Sequence, residues 1–318
     1  MSANLATNSS NEIVLTRVYD APVQKVWSAW VEPEQVAQWW GPRGFAITSH
    51  SKDVRTNGSW TYTMHGPDGT NDENKTVFLE VQEHAKMVYD HGGNDDRPAL
   101  FRVHVTFAEA NGKTTVHMRM VLPTPEAAVQ TRGFIKAANG NSTWDRLAEF
   151  LGKTQHGKER FVINRSFDAS VERLFEVWTN PAQFSQWLAP TGMSMEFLHT
   201  DVRPGGHSFY KMFGGDVEMY GTVRYLELTT PTRVLYIQEF SNADGSMGRH
   251  PMAPTWPAQV LTLVEFAGEG PEQTRVTVTW EAYGETMPEE LATFVAARTG
   301  MMGGWTGSFD KLESHLTA

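Results

Sequence analysis

Residues 15–42 read LTRVYDAPVQKVWSAWVEPEQVAQWWGP, and residues 163–190 read INRSFDASVERLFEVWTNPAQFSQWLAP. The two align without a gap. Arg17 falls on Arg165, Asp20 on Asp168, Ala21 on Ala169, Trp30 on Trp178, Pro33 on Pro181, Gln38 on Gln186, Trp39 on Trp187 and Pro42 on Pro190. One offset of 148 residues carries every pair, tryptophans included. Chance does not produce that, and a repeat of this length is a duplicated domain, not a solenoid unit of about 20–50 residues.

Each copy has the same local logic. A short strand (residues 14–19 and 162–167) runs into Asp-Ala, whose carboxylate is placed to cap a following helix. Pro22 stands where a first-turn proline loses no hydrogen bond. Apolar residues then recur at helical spacing: Val23, Val26, Trp27 and Trp30, and Val171, Leu174, Phe175 and Trp178. Pro33 and Pro181 stop that helix and start another, which ends in an aromatic corner at Trp39–Trp40 or Trp187–Leu188. Arg17 and Arg165 stand near Asp20 and Asp168, and a salt bridge within each pair is the plain expectation.

Downstream of each corner, alternation and turn signals predict strands. Trp60, Tyr62 and Met64 share one face of a strand over 59–65, and Asn111-Gly112 signals a hairpin between strands at 100–108 and 114–122. A helical stretch over 126–151 closes the first copy, with Phe134, Ala138, Trp144, Leu147 and Leu151 as its inner stripe and Gly133 and Gly140 as kink points. In the second copy the last helix is expected over 288–316, interrupted near Gly300 or Gly303-Gly304. A proline-rich loop over 241–258 is longer than its counterpart and is expected to cover a cavity mouth. The domains read as 12–151 and 160–318, after a polar tail over 1–11 expected to be disordered and around a linker over 152–159.

These residues resemble the heat-shock-protein-90 ATPase activator homologue family of the START-like (SRPBCC) superfamily. The resemblance rests on the repeated opening, on Asp53-Val54-Arg55…Gly58 and Asp201-Val202-Arg203-Pro204-Gly205-Gly206, on the strand pairs around Glu80 and Glu227, and on the closing MMGGWTGSFDKLESHL. It implies an α+β fold of two helix-grip domains, each a curved antiparallel β-sheet wrapped around a long C-terminal α-helix. It also implies an apolar cavity between sheet and helix.

Composition bounds the function. The formal charge is −10, with 27 basic and 37 acidic residues, which argues against nucleic acid as a partner. No apolar run approaches the ~18 residues of a membrane span, so membrane insertion is not expected, and a cytoplasmic protein is. Cysteine is absent, which excludes disulfides and thiolate chemistry. No phosphate loop, dinucleotide fingerprint, serine elbow or zinc-protease motif occurs; no cofactor and no metal are expected.

What remains is rich in cavity-lining residue types: 11 Trp, 17 Phe, 8 Tyr and 14 Met. The candidate ligand-binding residues are Trp39, Trp60, Tyr62, Met64, Trp144, Trp187, Tyr210, Met212, Phe294 and Trp305. His104 and His117, counted from the hairpin turn, fall roughly opposite each other but lack a third ligand. His207 is the one candidate for acid–base chemistry, because histidine titrates near neutrality. The leading expectation is binding of a hydrophobic or aromatic small molecule. The alternative is an enzyme of polyketide cyclase, dehydratase or hydrolase type. A third reading, regulation of a chaperone ATPase, is implied only by the family's name. A homo-oligomer stays open.

Overall fold

The structure, a computed structural model, describes residues 11–137 and 142–317. The chain divides into two compact units, one ending at Gly157 and the other beginning at Lys158. In the first, β1 (Glu12–Tyr19) leads into α1 (Val23–Val31) and α2 (Pro33–Trp39). Six strands follow: β2 (Ala46–Lys52), β3 (Ser59–His65), β4 (Asn71–Gln82), β5 (Lys86–Gly93), β6 (Phe101–Ala110) and β7 (Lys113–Val121). The helices α3 (Pro125–Ala137) and α4 (Ser142–His156) end the unit. The second repeats the plan with β8 (Arg160–Phe167), α5 (Val171–Thr179), α6 (Pro181–Trp187), β9 (Ser194–His199), β10 (His207–Gly214), β11 (Val217–Thr229), β12 (Arg233–Ser241), β13 (Gln259–Gly270), β14 (Gln273–Ala282), α7 (Pro288–Ala296) and α8 (Arg298–Thr317).

Both sheets are seven-stranded and antiparallel, with the order β1-β7-β6-β5-β4-β3-β2 and its image β8-β14-β13-β12-β11-β10-β9. Alternation sets the inner face. In the β6–β7 hairpin, Val103 pairs with Met120, Val105 with Met118 and Phe107 with Val116, and all six are buried. The turn between them has Asn111 and Gly112 both at positive φ, the conformation an Asn-Gly hairpin favours. The helices cover that face, so each unit is the expected α+β helix-grip arrangement.

The repeated residues hold the same posts in both units. Trp39 is fully buried and its Nε1 donates to the Ala29 carbonyl at 2.9 Å; Trp187 does the same to Val177 at 3.2 Å. Trp30 stacks on Trp144 of α4, and Trp178 on Trp305 of α8, with interplanar angles of 17° and 12°. The Asp-x-Arg turn closes on a glycine that has no room for a side chain. A Cβ at Gly58 would stand 2.2 Å from the Asp53 carbonyl oxygen, and one at Gly206 would stand 2.2 Å from that of Asp201. A cation ties the corner after each second helix. Arg146 donates to the carbonyls of Gln38, Trp40, Gly41, Pro42 and Phe45. Lys311 donates to those of Ala189 and Met193. Cations are favoured where helix-terminal carbonyls lack partners.

Several expectations are corrected. Asp20 and Asp168 cap nothing, because the helices start at Val23 and Val171. Pro22 and Ser170 occupy the cap positions, and the Ser170 hydroxyl accepts from Arg173 N. The Arg–Asp bridges do not form, since residues three apart on a strand leave opposite faces. Arg165 instead pairs with Asp310 at 2.6 Å, and buried Arg17 feels the charge of Asp145. The stretch read as one helix over 126–151 is two, and α4 continues through Gly152 to His156. Phe134 is 72% exposed because the inner face of α3 carries Ala128 and, two turns on, Ile135. Ala138 and Gly140 lie outside the described residues. In the second unit the break falls at Ala297, and α8 runs on through Gly300, Gly303 and Gly304.

Alanine at Gly58 or Gly206 is expected to cost about 2 kcal/mol or more, through forced displacement of the turn. At Gly133, in α3 with nothing within 4 Å of a Cβ, alanine is expected to gain up to ~1 kcal/mol. Urea unfolding of the intact variants checks both signs.

Candidate functional site

The site lies in the first unit, between the inner face of β2–β5 and the helices. Its position follows from an irregularity in β2. Ile47 and Ser49 point inward opposite Met64 and Tyr62, and simple alternation would then send Lys52 outward. The register shifts between Ser49 and Ser51, so His50 is an extra residue and Lys52 pairs with inward-facing Trp60. Its ammonium stands 3.2 Å from the centre of the Trp60 ring, a cation–π placement. Among the described residues no carboxylate, carbonyl or hydroxyl accepts a hydrogen bond from it. Burial alone pulls its pKa down to about 7.

Around Lys52 the wall is aromatic. Trp60 stacks on Tyr62 at 4.2 Å and meets Trp40 edge-on at 5.2 Å. Trp60 Nε1 donates to Ser49 Oγ at 2.8 Å, and Trp40 Nε1 to the Tyr62 hydroxyl at 3.1 Å. β4 adds Thr76 and Phe78, β5 adds Met87 and Tyr89, and α1 adds Trp30; with Trp40, Lys52 and Trp60 they line a cavity of about 10 Å³. That is room for roughly one water molecule. Trp30 Nε1 is buried and has no hydrogen-bond partner. Thr76 Oγ1 and His91 Nδ1 lie 3.2 Å apart. Burial lowers the His91 pKa to about 4 and raises those of Tyr62 and Tyr89, so the ring is neutral and the phenols protonated at neutral pH.

The candidate residues read from sequence separate into groups. Trp60 lines the cavity. Tyr62 stands behind it, and Met64 is half-buried beside Gly41. Trp39 and Trp144 belong to the packing beneath, through the indole hydrogen bond and the stack already described. In the second unit, Trp187 and Trp305 are the corresponding packing residues. Phe294 is buried against Trp256, which the proline-rich loop inserts into the core. Tyr210 lies over Gly221, burial raising its pKa to about 12, and Met212 is half-buried.

His207 is exposed on the opposite face of β10 from Tyr210, its ring 4.7 Å from that of His199. It therefore faces away from the interior, where acid–base work on an enclosed ligand would occur. His104 and His117 are not opposite: His104 pairs with Arg119 and His117 with Thr106. No group of three His, Asp or Glu side chains among the described residues is placed to hold a metal, and no described helix is long and apolar enough to cross a membrane.

Lys52, Thr76, Phe78, Met87, Tyr89 and His91 escaped the sequence reading. The bulge hides Lys52, and the others stand in strands whose alternation does not separate lining from core. One signal was available. Lys52 precedes Asp53, whereas Thr200 precedes Asp201, and Trp40 and Trp60 answer to Leu188 and Ser208. At these three positions of the cavity wall the copies diverge.

Comparison with known proteins gives consistent findings. The model of the family described as activator of Hsp90 ATPase homolog 1-like protein matches residues 20–152 and, separately, 168–317. Solved structures match one unit at a time. A protein from Mycobacterium smegmatis is 26% identical, covering 46% of this chain and 94% of its own, with a TM-score of 0.42. One from Nitrosomonas europaea is 22% identical, covering 47% and 99%, with a TM-score of 0.43. The AHSA1 protein from Silicibacter pomeroyi is 19% identical, covering 50% and 97%, with a TM-score of 0.39. No curated protein matches the chain.

The buried amine sets a pH signature. Because its pKa falls from 10.5 to about 7 on folding, the unfolded chain binds more protons between those values, and stability rises with pH across that window. Lys52→Met is expected to unfold at a higher temperature than the wild type at pH 7, with the gap closing toward pH 10. A gap that does not change with pH would contradict this placement of the amine.

Proposed function

Taking as premise that the chain belongs, in two copies, to the family of activator of Hsp90 ATPase homolog 1-like proteins, we propose that its first unit binds a small aromatic or hydrophobic molecule in the cavity walled by Trp30, Trp40, Trp60 and Met87. The observation that supports this most is the half-buried Lys52 ammonium, which has no hydrogen-bond partner among the described residues and stands over the Trp60 ring in a mostly apolar wall; the Trp30 indole N–H is buried without a partner, as is that of Trp178 in the second unit. A protein interior leaves few polar groups unsatisfied, because each costs about 1–3 kcal/mol. Packing gains nothing from the ammonium being left open. A ligand that accepts from Lys52 gives it a partner and adds ring-on-ring contact with the tryptophans.

The cavity is smaller than any ring, so binding requires wall side chains to move. Met87 is the adaptable one, an unbranched thioether able to change rotamer. Lys52 belongs to β2, the edge strand of its sheet, where displacement disturbs fewest neighbours. A ligand of one or two rings fits this mode.

The test is titration of the intact protein with 2-naphthamide, followed by methionine methyl NMR. The Met87 methyl is expected to shift by ring current. Met87→Phe, which fills the space, is expected to weaken binding about tenfold or more, the free energy of burying roughly one extra side chain's worth of ligand surface. Shifts confined to methionines of the second unit, or an affinity that ignores Met87→Phe, would defeat the reading.

A further inference from the structure

The polar groups of the cavity wall are of one kind. Of its three indole N–H groups, that of Trp60 is satisfied by Ser49 and that of Trp40 by Tyr62. Thr76 is engaged with His91. What remains for a ligand is the Lys52 ammonium and the phenol of Tyr89, which burial keeps protonated and able to donate. Nothing among these requires the ligand to bring a donor. An ammonium has three donor positions and no acceptor, and Lys52 has no carboxylate beside it to balance its charge.

Resting on the binding reading above, we propose that the ligand of the first unit is an aromatic carboxylate, its anion paired with Lys52 and its ring body held against Trp40 and Trp60. A carboxylate at physiological pH is acceptor-only and carries the missing charge. It converts a desolvated, uncompensated amine into a charge-assisted pair, and inside a low-dielectric wall that pair is stronger than on a surface. The same anion has no counterpart in the second unit, where Thr200 and Ser208 take the places of Lys52 and Trp60. The two units would then differ in ligand charge as well as in shape.

Binding also changes protonation. At pH 7.5 the free amine, with its pKa drawn down to about 7 by burial, is partly neutral, and pairing with an anion restores the full proton. Formation of the complex therefore takes a proton from the buffer.

The experiment compares 2-naphthoate with 2-naphthamide, which share a ring system and differ in charge. Calorimetry on the intact protein at pH 7.5 is run in two buffers of different ionisation enthalpy. The acid is expected to bind tenfold or more tightly than the amide, with proton uptake seen only for the acid. Lys52→Met is expected to abolish both the preference and the proton uptake; thermal unfolding confirms that the variant is folded. Equal affinity of acid and amide for the wild type would overturn the carboxylate assignment while leaving aromatic binding intact, as would a preference that survives Lys52→Met. If neither compound binds, the binding reading itself falls and this assignment falls with it.

Discussion

The tryptophan stack between the first helix and the last is the contact on which each unit depends. A seven-stranded antiparallel sheet presents one broad apolar face, and short helices such as α1 and α2 are not stable by themselves. They stay on the sheet because Trp30 lies flat on Trp144, and Trp178 on Trp305, joining the start of the unit to its end. The next tryptophan, Trp39 or Trp187, turns its N–H back to a carbonyl of the preceding helix. A buried hydrogen bond of this kind contributes about 1 kcal/mol net, but leaving the indole unpaired would cost more. The corner is thereby fixed in angle as well as in depth. Every later element is laid down against it, including the four strands that form the cavity wall.

That dependence explains why the fold was legible in the sequence. The corner residues recur at one offset, their identities are rare ones, and their roles survive in both copies without change. What the sequence hid are features that depend on one residue more or less. Asp20 reads as a helix cap until the helix is seen to begin three residues later. Phe134 reads as core if one helix runs over 126–151, and faces outward once α3 is a separate helix whose inner side carries Ala128. Lys52 draws no reading at all: alternation from Ile47 would send it outward, and the extra residue at His50 reverses that. Periodicity carries no sign of a bulge, so the one charged residue of the cavity was the one least visible. His207 shows the reverse error: the chemistry of its ring suggested a role, and the parity of β10 puts it on the outer face.

The two units share a frame and differ inside it. Where the first unit sets Trp60, Lys52 and Trp40, the second sets Ser208, Thr200 and Leu188. The Ser208 hydroxyl there lies 3.3 Å from the Tyr225 phenol, and Tyr236 and Tyr210 are buried nearby with pKa values raised by burial. One interior is a tryptophan box with an amine, the other a cluster of tyrosines, with Trp256 of the longer loop packed into the same core. The stacking tryptophans are retained, and among the lining residues Trp30 and Tyr89 have counterparts in Trp178 and Tyr236 while Trp40, Lys52 and Trp60 do not.

The amine bears on that distinction most directly. A lysine placed where burial lowers its pKa to about 7 subtracts from stability at neutral pH. A methionine of similar length would fill the same volume at no such cost. A structural role for Lys52 would demand an acceptor for its ammonium, as Glu149 supplies for Arg43 at 2.5 Å and Asp310 for Arg165 at 2.6 Å. Elsewhere in the chain, then, these two cations have partners from the chain itself. Lys52 is given an aromatic ring and a small space instead, and that contrast is what the proposed anionic ligand accounts for.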